Sequence, residues 1–149
     1  MTYELRIERV IDGPRESVFD AFVDPGAQRL LYGDPETPGW SVTSQLALQL
    51  GGKWTIDFGK PQLFNRETNV FTEIDRPRRL VFDSTMYIAE QGHSFDTKLV
   101  VTFEERGAST LATIIQSSFE RREDRDTIKG GWPSILDALE DLVAGRIAT

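Results

Sequence analysis

An apolar pattern near the C-terminus constrains the fold of this chain more than any other feature. From Ile128 onward, apolar residues recur three or four positions apart, which is the spacing of one face of an α-helix. They are Ile128, Trp132, Ile135, Leu136, Leu139, Leu142 and Val143. Gly130, Gly131 and Pro133 interrupt the pattern, because glycine weakens a helix and proline lacks an amide hydrogen. The sequence therefore predicts a long amphipathic helix that begins near Trp132 or bends there.

The chain before this helix alternates apolar and polar residues, the two-residue period of β-strands. The alternation predicts strands at 3–11, 40–50, 53–58, 65–75, 78–88, 95–105 and 109–119. Short turns separate most of these strands, so we expect antiparallel neighbours. Between the first two strands, Pro14 begins a predicted helix that extends to Val23, and residues 27–32 form a shorter one.

These elements predict an α+β fold in the order β-α-α-β6-α. A curved antiparallel sheet of about six to seven strands has one face to bury, and the C-terminal helix has one apolar face to cover it with. We expect a single domain over residues 1–149, because no linker or repeat divides the chain. A sheet that wraps further than the helix can fill leaves a cavity between them, where small molecules tend to bind.

Composition excludes several classes of protein. The chain has no cysteine, which excludes disulfides, thiol catalysis and cysteine-bound metals. Its net charge of -7 disfavours binding to nucleic acid, which requires clustered Lys and Arg. No apolar run is long enough for a transmembrane helix or a signal peptide, so we expect no membrane insertion and a cytoplasmic location.

An ordered set of short motifs resembles a known family. The motifs are 12–19 (DGPRESVF), 51–54 (GGKW), 73–82 (EIDRPRRLVF), 101–103 (VTF) and 131–132 (GW). Together they resemble the START-like helix-grip superfamily (SRPBCC), in the branch related to the C-terminal domain of the activator of the heat-shock chaperone ATPase. The resemblance implies a sheet that grips the last helix above a cavity. Three residues near the implied pocket mouth, Leu31, Tyr32 and Asn69, depart from the family pattern, so the resemblance does not imply which ligand this chain binds.

We predict that a pocket between sheet and helix is lined mainly by aromatic residues. The candidates are Tyr32, Trp40, Trp54, Phe58, Phe71, Phe82, Thr113, Ile115, Ser117, Trp132 and Leu136. The hydroxyls of Thr113 and Ser117 are assigned to the inner face, where they could orient a ligand. The alternative is that the aromatic side chains simply fill the core.

The sequence offers little evidence of catalysis. His93 is the only histidine, and its neighbours Ser94 and Asp96 lie too close in one loop for the geometry of a triad. Glu73 and Asp75 share one strand face and could act as acid and base, but we favour a solvent-facing position for both. We therefore predict no catalytic residue, no metal site and no cofactor.

Three functions remain open, and the first is favoured. It is a binding protein that holds an apolar or amphipathic small molecule between the sheet and the C-terminal helix. The second is an interaction protein that docks on a chaperone ATPase, as the resemblance implies, although this chain lacks room for the activator's separate N-terminal domain. The third is an enzyme, because relatives with this fold include cyclases and dehydratases of aromatic polyketides, while others protect producers by trapping an antibiotic.

Overall fold

Seven antiparallel strands form one continuous curved sheet in the computed structural model, which describes residues 1–148. The strands are β1 (Tyr3–Asp12), β2 (Ser41–Leu46), β3 (Lys53–Lys60), β4 (Leu63–Asp75), β5 (Arg79–Ile88), β6 (His93–Arg106) and β7 (Ser109–Phe119). Their spatial order is β1-β7-β6-β5-β4-β3-β2, so the strands from β2 to β7 are sequential neighbours and β1 pairs with β7. The predicted α+β fold and its order of elements are confirmed.

The helices lie on one face of this sheet. They are α1 (Arg15–Phe22), α2 (Gln28–Leu31) and the long C-terminal α3 (Arg122–Val143), with a 3-10 turn at Pro25–Ala27 before α2. The alternative that α3 begins near Trp132 is wrong, because the helix already begins at Arg122 and contains Pro133. Glu123 and Asp124 lie in its first turn, where negative charge favours the start of a helix.

Aromatic side chains fill one end of the space between sheet and helices. Phe22 of α1 contacts Trp54 of β3 and Phe103 of β6, with ring centroids 5.6 and 6.1 Å apart. Trp54 in turn stacks on Phe71 of β4 at 6.1 Å and lies 6.0 Å from Phe82 of β5. These rings are buried, so this end of the domain is closed core.

A band of polar residues crosses the inner face of the sheet next to this core. It consists of Asn69 on β4, Ser84 on β5, Thr97 on β6 and Gln116 on β7, and is called the polar band below. Asn69 pairs with Ser84, and Ser84 pairs with Thr97, in the strand register. All four side chains are buried. The polar band separates this aromatic core from the remainder of the inner face of the sheet.

The long helix is tied to the edge of the sheet by an ion-pair network. Arg9 of β1 donates to Asp137 Oδ1 at 2.8 Å and to Glu140 Oε1 at 2.9 Å, both on α3. These contacts and the core packing fix the position of α3 over the inner face. Within residues 1–148, no helix is both long and apolar enough to cross a membrane.

Candidate functional site

A cavity of about 790 Å³ lies between α3 and the part of the sheet beyond the polar band. Its volume is in the range of roughly 300 to 1,000 Å³ that small-molecule pockets occupy. Residues of α2, β3, β4, β5, β7 and α3 line it, and it is partly open to solvent. The cavity forms because α1 covers the aromatic end of the sheet, and the rest of the inner face is covered by α3, α2 and the loop that follows α2.

Three aromatic residues form one wall, which we call the aromatic cluster. They are Tyr32, Trp40 and Phe58. The Tyr32 and Phe58 ring centroids are 5.2 Å apart, and those of Trp40 and Phe58 are 6.3 Å apart. Trp40 Nε1 donates to the carbonyl oxygen of Tyr32 at 2.9 Å, which closes the loop between α2 and β2. The loop rich in proline and glycine thus holds its two flanking aromatic residues against the sheet.

The opposite wall is a stripe of α3 that differs from the stripe packed in the core. The core stripe consists of Trp132, Leu136 and Leu139, which are buried. The cavity stripe consists of Ile128, Gly131, Ile135 and Ala138. Gly131 leaves room in its middle, since the space where a Cβ would lie is open. The apolar residues that the sequence places on one helix face therefore form two stripes, one that packs in the core and one that lines the cavity.

Glu67 of β4 is the carboxylate at the cavity floor. Its Oε2 accepts hydrogen bonds from Tyr32 Oη and Asn69 Nδ2, both at 2.9 Å. Its Oε1 has no partner among the described residues. The side chain is only partly buried because it faces the cavity. Burial raises the pKa of Glu67, and the two hydrogen bonds oppose that rise without cancelling it.

The groups that hold Glu67 are themselves constrained. Burial, followed by the neighbouring charge of Glu67, raises the pKa of Tyr32 well above its usual value of 10.0, so the phenol stays a donor. Asn69 is fully buried, and its Oδ1 is without a hydrogen-bond partner within the described chain. Tyr32 and Asn69 therefore hold Oε2 of Glu67 in place and leave Oε1 free to accept a hydrogen bond from another group.

A second hydrogen-bonded chain orients Trp132 at the edge of the cavity. Its Nε1 donates to Gln116 Oε1 at 3.1 Å, and Gln116 Nε2 donates to Thr97 Oγ1 at 2.9 Å. The ring also stacks near Phe22 at 6.4 Å. Trp132 thus belongs both to the core and to the cavity wall, and its orientation is set by the polar band.

Every charged side chain that lines the cavity in the described chain is acidic. The residues are Asp34, Glu36, Glu67, Asp137 and Asp141. Asp137 is paired with Arg9 at 2.8 Å, and Asp141 is paired with Arg146 at 2.7 Å. Asp34 accepts hydrogen bonds from the hydroxyl of Thr37 and from the amide of Glu36. The site therefore disfavours anionic ligands.

The structure brings together four of the residues predicted for the pocket. Tyr32, Trp40, Phe58 and Trp132 line the cavity. Four others are core residues that do not line it, namely Trp54, Phe71, Phe82 and Leu136. For these the alternative reading as core packing fits the structure, because α1 and α3 close over that end of the sheet.

The predicted inward position of three residues on β7 is wrong. Gln116 bonds Trp132 and Ile114 lies in the core, so the even-numbered residues of the strand face inward. Because side chains alternate along a strand, the opposite face carries Thr113, Ile115 and Ser117. Ile114 and Ile115 are both apolar, and for this reason the pattern did not distinguish the two faces.

Sequence reasoning missed the polar residues of the site. Glu67 and Gln116 were not predicted to face inward, because polar residues in a strand usually indicate the solvent side, and Asn69 was placed near the pocket mouth by the resemblance alone. A signal existed on β4, where residues at every second position back from buried Phe71 share its face. That rule leads from Phe71 to Asn69 and then to Glu67.

The lone histidine makes a different contact from the one considered in the sequence. His93 Nε2 lies 3.0 Å from Asp124 Oδ2 and 3.3 Å from Arg121 Nη1, at the start of α3. Glu73 and Asp75 form ion pairs with arginines at the surface, so their expected solvent-facing position is confirmed. None of these residues lines the cavity. Within residues 1–148, no three His, Asp or Glu side chains are grouped to hold a metal ion.

Comparisons with known proteins agree with this architecture. Residues 12–144 match the family described as activator of Hsp90 ATPase homolog 1-like protein. No curated protein matches the chain. Three similar solved structures are 20–23% identical to this chain, and at these identities the likeness concerns the fold alone.

The first is an uncharacterised protein from Rhizobium leguminosarum, 20% identical with a TM-score of 0.77, covering 94% of this chain and 93% of its own. The second is protein CV1439 from Chromobacterium violaceum, 20% identical with a TM-score of 0.77, covering 94% and 96%. The third, from Arthrobacter aurescens, is 23% identical with a TM-score of 0.75, covering 95% and 86%.

Proposed function

Because the chain belongs to the family of activator of Hsp90 ATPase homolog 1-like proteins, whose helix-grip fold is compatible with ligand binding, we propose that it is a small-molecule binding protein. The proposed ligand is apolar or amphipathic and lies between the sheet and α3. The observation that carries the proposal is the cavity of about 790 Å³ beyond the polar band.

The walls of the cavity support an apolar ligand body. The aromatic cluster faces the site from the sheet side, and the cavity stripe of α3 faces it from the other side. Burial of apolar ligand surface contributes roughly 25 cal/mol per Å², before the costs of ordering and lost mobility. Affinity would therefore come mainly from these two walls, with the few polar groups at the floor setting orientation.

Native mass spectrometry tests the proposal most directly. The protein is purified gently from its own cells, and its intact mass is compared with the mass of the denatured chain. We expect an additional mass that is lost on denaturation, because a ligand held in a partly enclosed apolar cavity exchanges slowly. The formula of the released molecule then identifies the ligand.

Two adjacent glycines of α3 provide a matched pair of variants. Gly131 lines the cavity and Gly130 does not, and the space where each Cβ would lie is open. Gly131→Leu would place a branched side chain in the cavity, so we expect the additional mass to be lost. Gly130→Leu makes the same chemical change outside the cavity and should retain it.

Two outcomes would contradict the proposal. One is equal retention of the additional mass by both glycine variants, which would place the ligand elsewhere. The other is an unliganded wild-type protein whose tryptophan fluorescence does not respond to 1-decanol, although Trp40 and Trp132 line the cavity.

A further inference from the structure

The polar groups of the cavity indicate which kind of amphipathic molecule it accepts. Its lining in the described chain contains acidic side chains and no lysine or arginine. Two of the acids, Asp137 and Asp141, are already paired with arginines. Within the described residues, Asp34, Glu36 and Glu67 have no such cation, and of these three only Glu67 lies on a strand, at the cavity floor.

Glu67 is held in a geometry that leaves one oxygen available. Both donors from the protein, Tyr32 and Asn69, bond Oε2. Oε1 faces no donor within the described residues. A partly desolvated carboxylate is costly unless a charge or further hydrogen bonds compensate for it. The raised pKa of Glu67 reflects this unmet cost, and a bound cation would supply the missing compensation.

The neighbours of Glu67 suit a cation as well. Tyr32 bonds the carboxylate through its hydroxyl, and its ring lies 5.2 Å from Phe58, which in turn contacts Trp40. Aromatic faces attract ammonium groups through the negative potential of the ring, most strongly where water is excluded. An amine bound to this carboxylate, which is hydrogen-bonded to one member of the aromatic cluster, could therefore interact with both a negative charge and an aromatic ring.

We propose that the ligand is an amphipathic amine, with its ammonium group at Glu67 Oε1 beside the aromatic cluster and its apolar body along the cavity stripe of α3. This inference rests on the proposed small-molecule function and specifies the class of ligand. The inference excludes fatty acids and other anions, because the negative charge of a ligand carboxylate at this position would be repelled by Glu67.

Three probes of equal chain length test the proposal on the wild-type protein. Decylamine, 1-decanol and sodium decanoate share the apolar chain and differ only in their head group. Each is titrated below its micelle concentration, and binding is measured by calorimetry and tryptophan fluorescence. We expect decylamine to bind at least about tenfold more tightly than decanol, as one charge-assisted hydrogen bond allows, and decanoate to bind most weakly.

Two carboxylate variants identify the group that recognises the amine. Glu67→Gln keeps the acceptor for Tyr32 and Asn69 but removes the charge, so decylamine should bind it no better than decanol. Glu73→Gln, on the same strand but at the surface in an ion pair with Arg79, serves as the control and should leave all three affinities unchanged.

The outcomes separate the two proposals. If decanol and decylamine bind wild-type protein equally and Glu67→Gln changes neither, the amine inference is overturned while the cavity remains a binding site. If none of the three probes binds, the proposed function fails too. The comparison of probes requires only the wild-type protein, so it decides the inference even if Glu67→Gln does not fold.

Discussion

At the scale of single residues, Trp132 connects the core to the cavity. Its ring is 5% exposed, stacks near Phe22 and donates to Gln116. Trp132→Ala should lower the free energy of unfolding by about 3–5 kcal/mol, the range for truncating a buried aromatic residue. Trp132→Phe keeps an aromatic ring but leaves Gln116 Oε1 unpaired, which should cost about 1–3 kcal/mol. Urea denaturation measures both, and a Trp132→Phe variant as stable as the wild type would contradict the role assigned to the hydrogen bond.

Glu67 should make stability depend on pH in a defined direction. Burial raises its pKa in the folded protein above the ordinary value of 4.5, to which the unfolded chain returns. The folded state therefore binds this proton more tightly, and the resulting stabilisation, complete below the ordinary value, is lost as pH rises through the folded pKa. The glutamine of Glu67→Gln does not titrate. As pH rises from acidic to neutral, the unfolding free energy of this variant should therefore increase relative to that of the wild type. Urea titrations at several pH values measure the difference, and a constant difference would disprove the shift.

At the scale of elements, α3 carries two apolar stripes of different purpose. The core stripe fixes the helix on the sheet, whereas the cavity stripe has open space in front of Gly131. Such a division lets the helix be stable and still leave a site unfilled. The tie between Arg9 and the two acids of α3 supports the same placement from the edge strand.

Gly130 and Gly131 should lower the stability of α3, and no neighbouring group requires a glycine at either position. Replacement of either by leucine should raise the free energy of unfolding by up to about 1 kcal/mol, the helix propensity that glycine lacks. Urea denaturation of Gly130→Leu and Gly131→Leu measures this gain. A marked loss of stability in Gly131→Leu alone would show that its side chain clashes with the sheet instead of entering the cavity.

At the scale of the whole molecule, ligand binding and folding should be linked. The cavity is assembled from α2, four strands and α3, so it exists only in the folded chain. Free decylamine at a hundred times its dissociation constant should therefore raise the free energy of unfolding by about 2.7 kcal/mol. Urea denaturation with and without the probe measures the shift. Gly131→Leu should show little of it, and an equal shift in that variant would argue for binding outside the cavity.

The sequence by itself determined the fold class and the order of elements. The period-two alternation of the strands and the helical period of α3 are local patterns, and both follow from which side of each element is buried. The start of α3 does not follow from the sequence, because Gly130, Gly131 and Pro133 favour a local boundary that packing against the sheet overrides.

Only the tertiary structure decided which inward residues form the site. Trp54 and Phe58 lie on the same face of β3, yet the first is core and the second lines the cavity, because α1 covers one end of the sheet and not the other. Glu67 likewise resembles a solvent-facing residue in the sequence, and only the fold brings Tyr32, which is distant in sequence, into hydrogen-bond contact with it. Alternation along a strand specifies a face but not what lies above that face, and for this reason the site could be located only once the helices were in place.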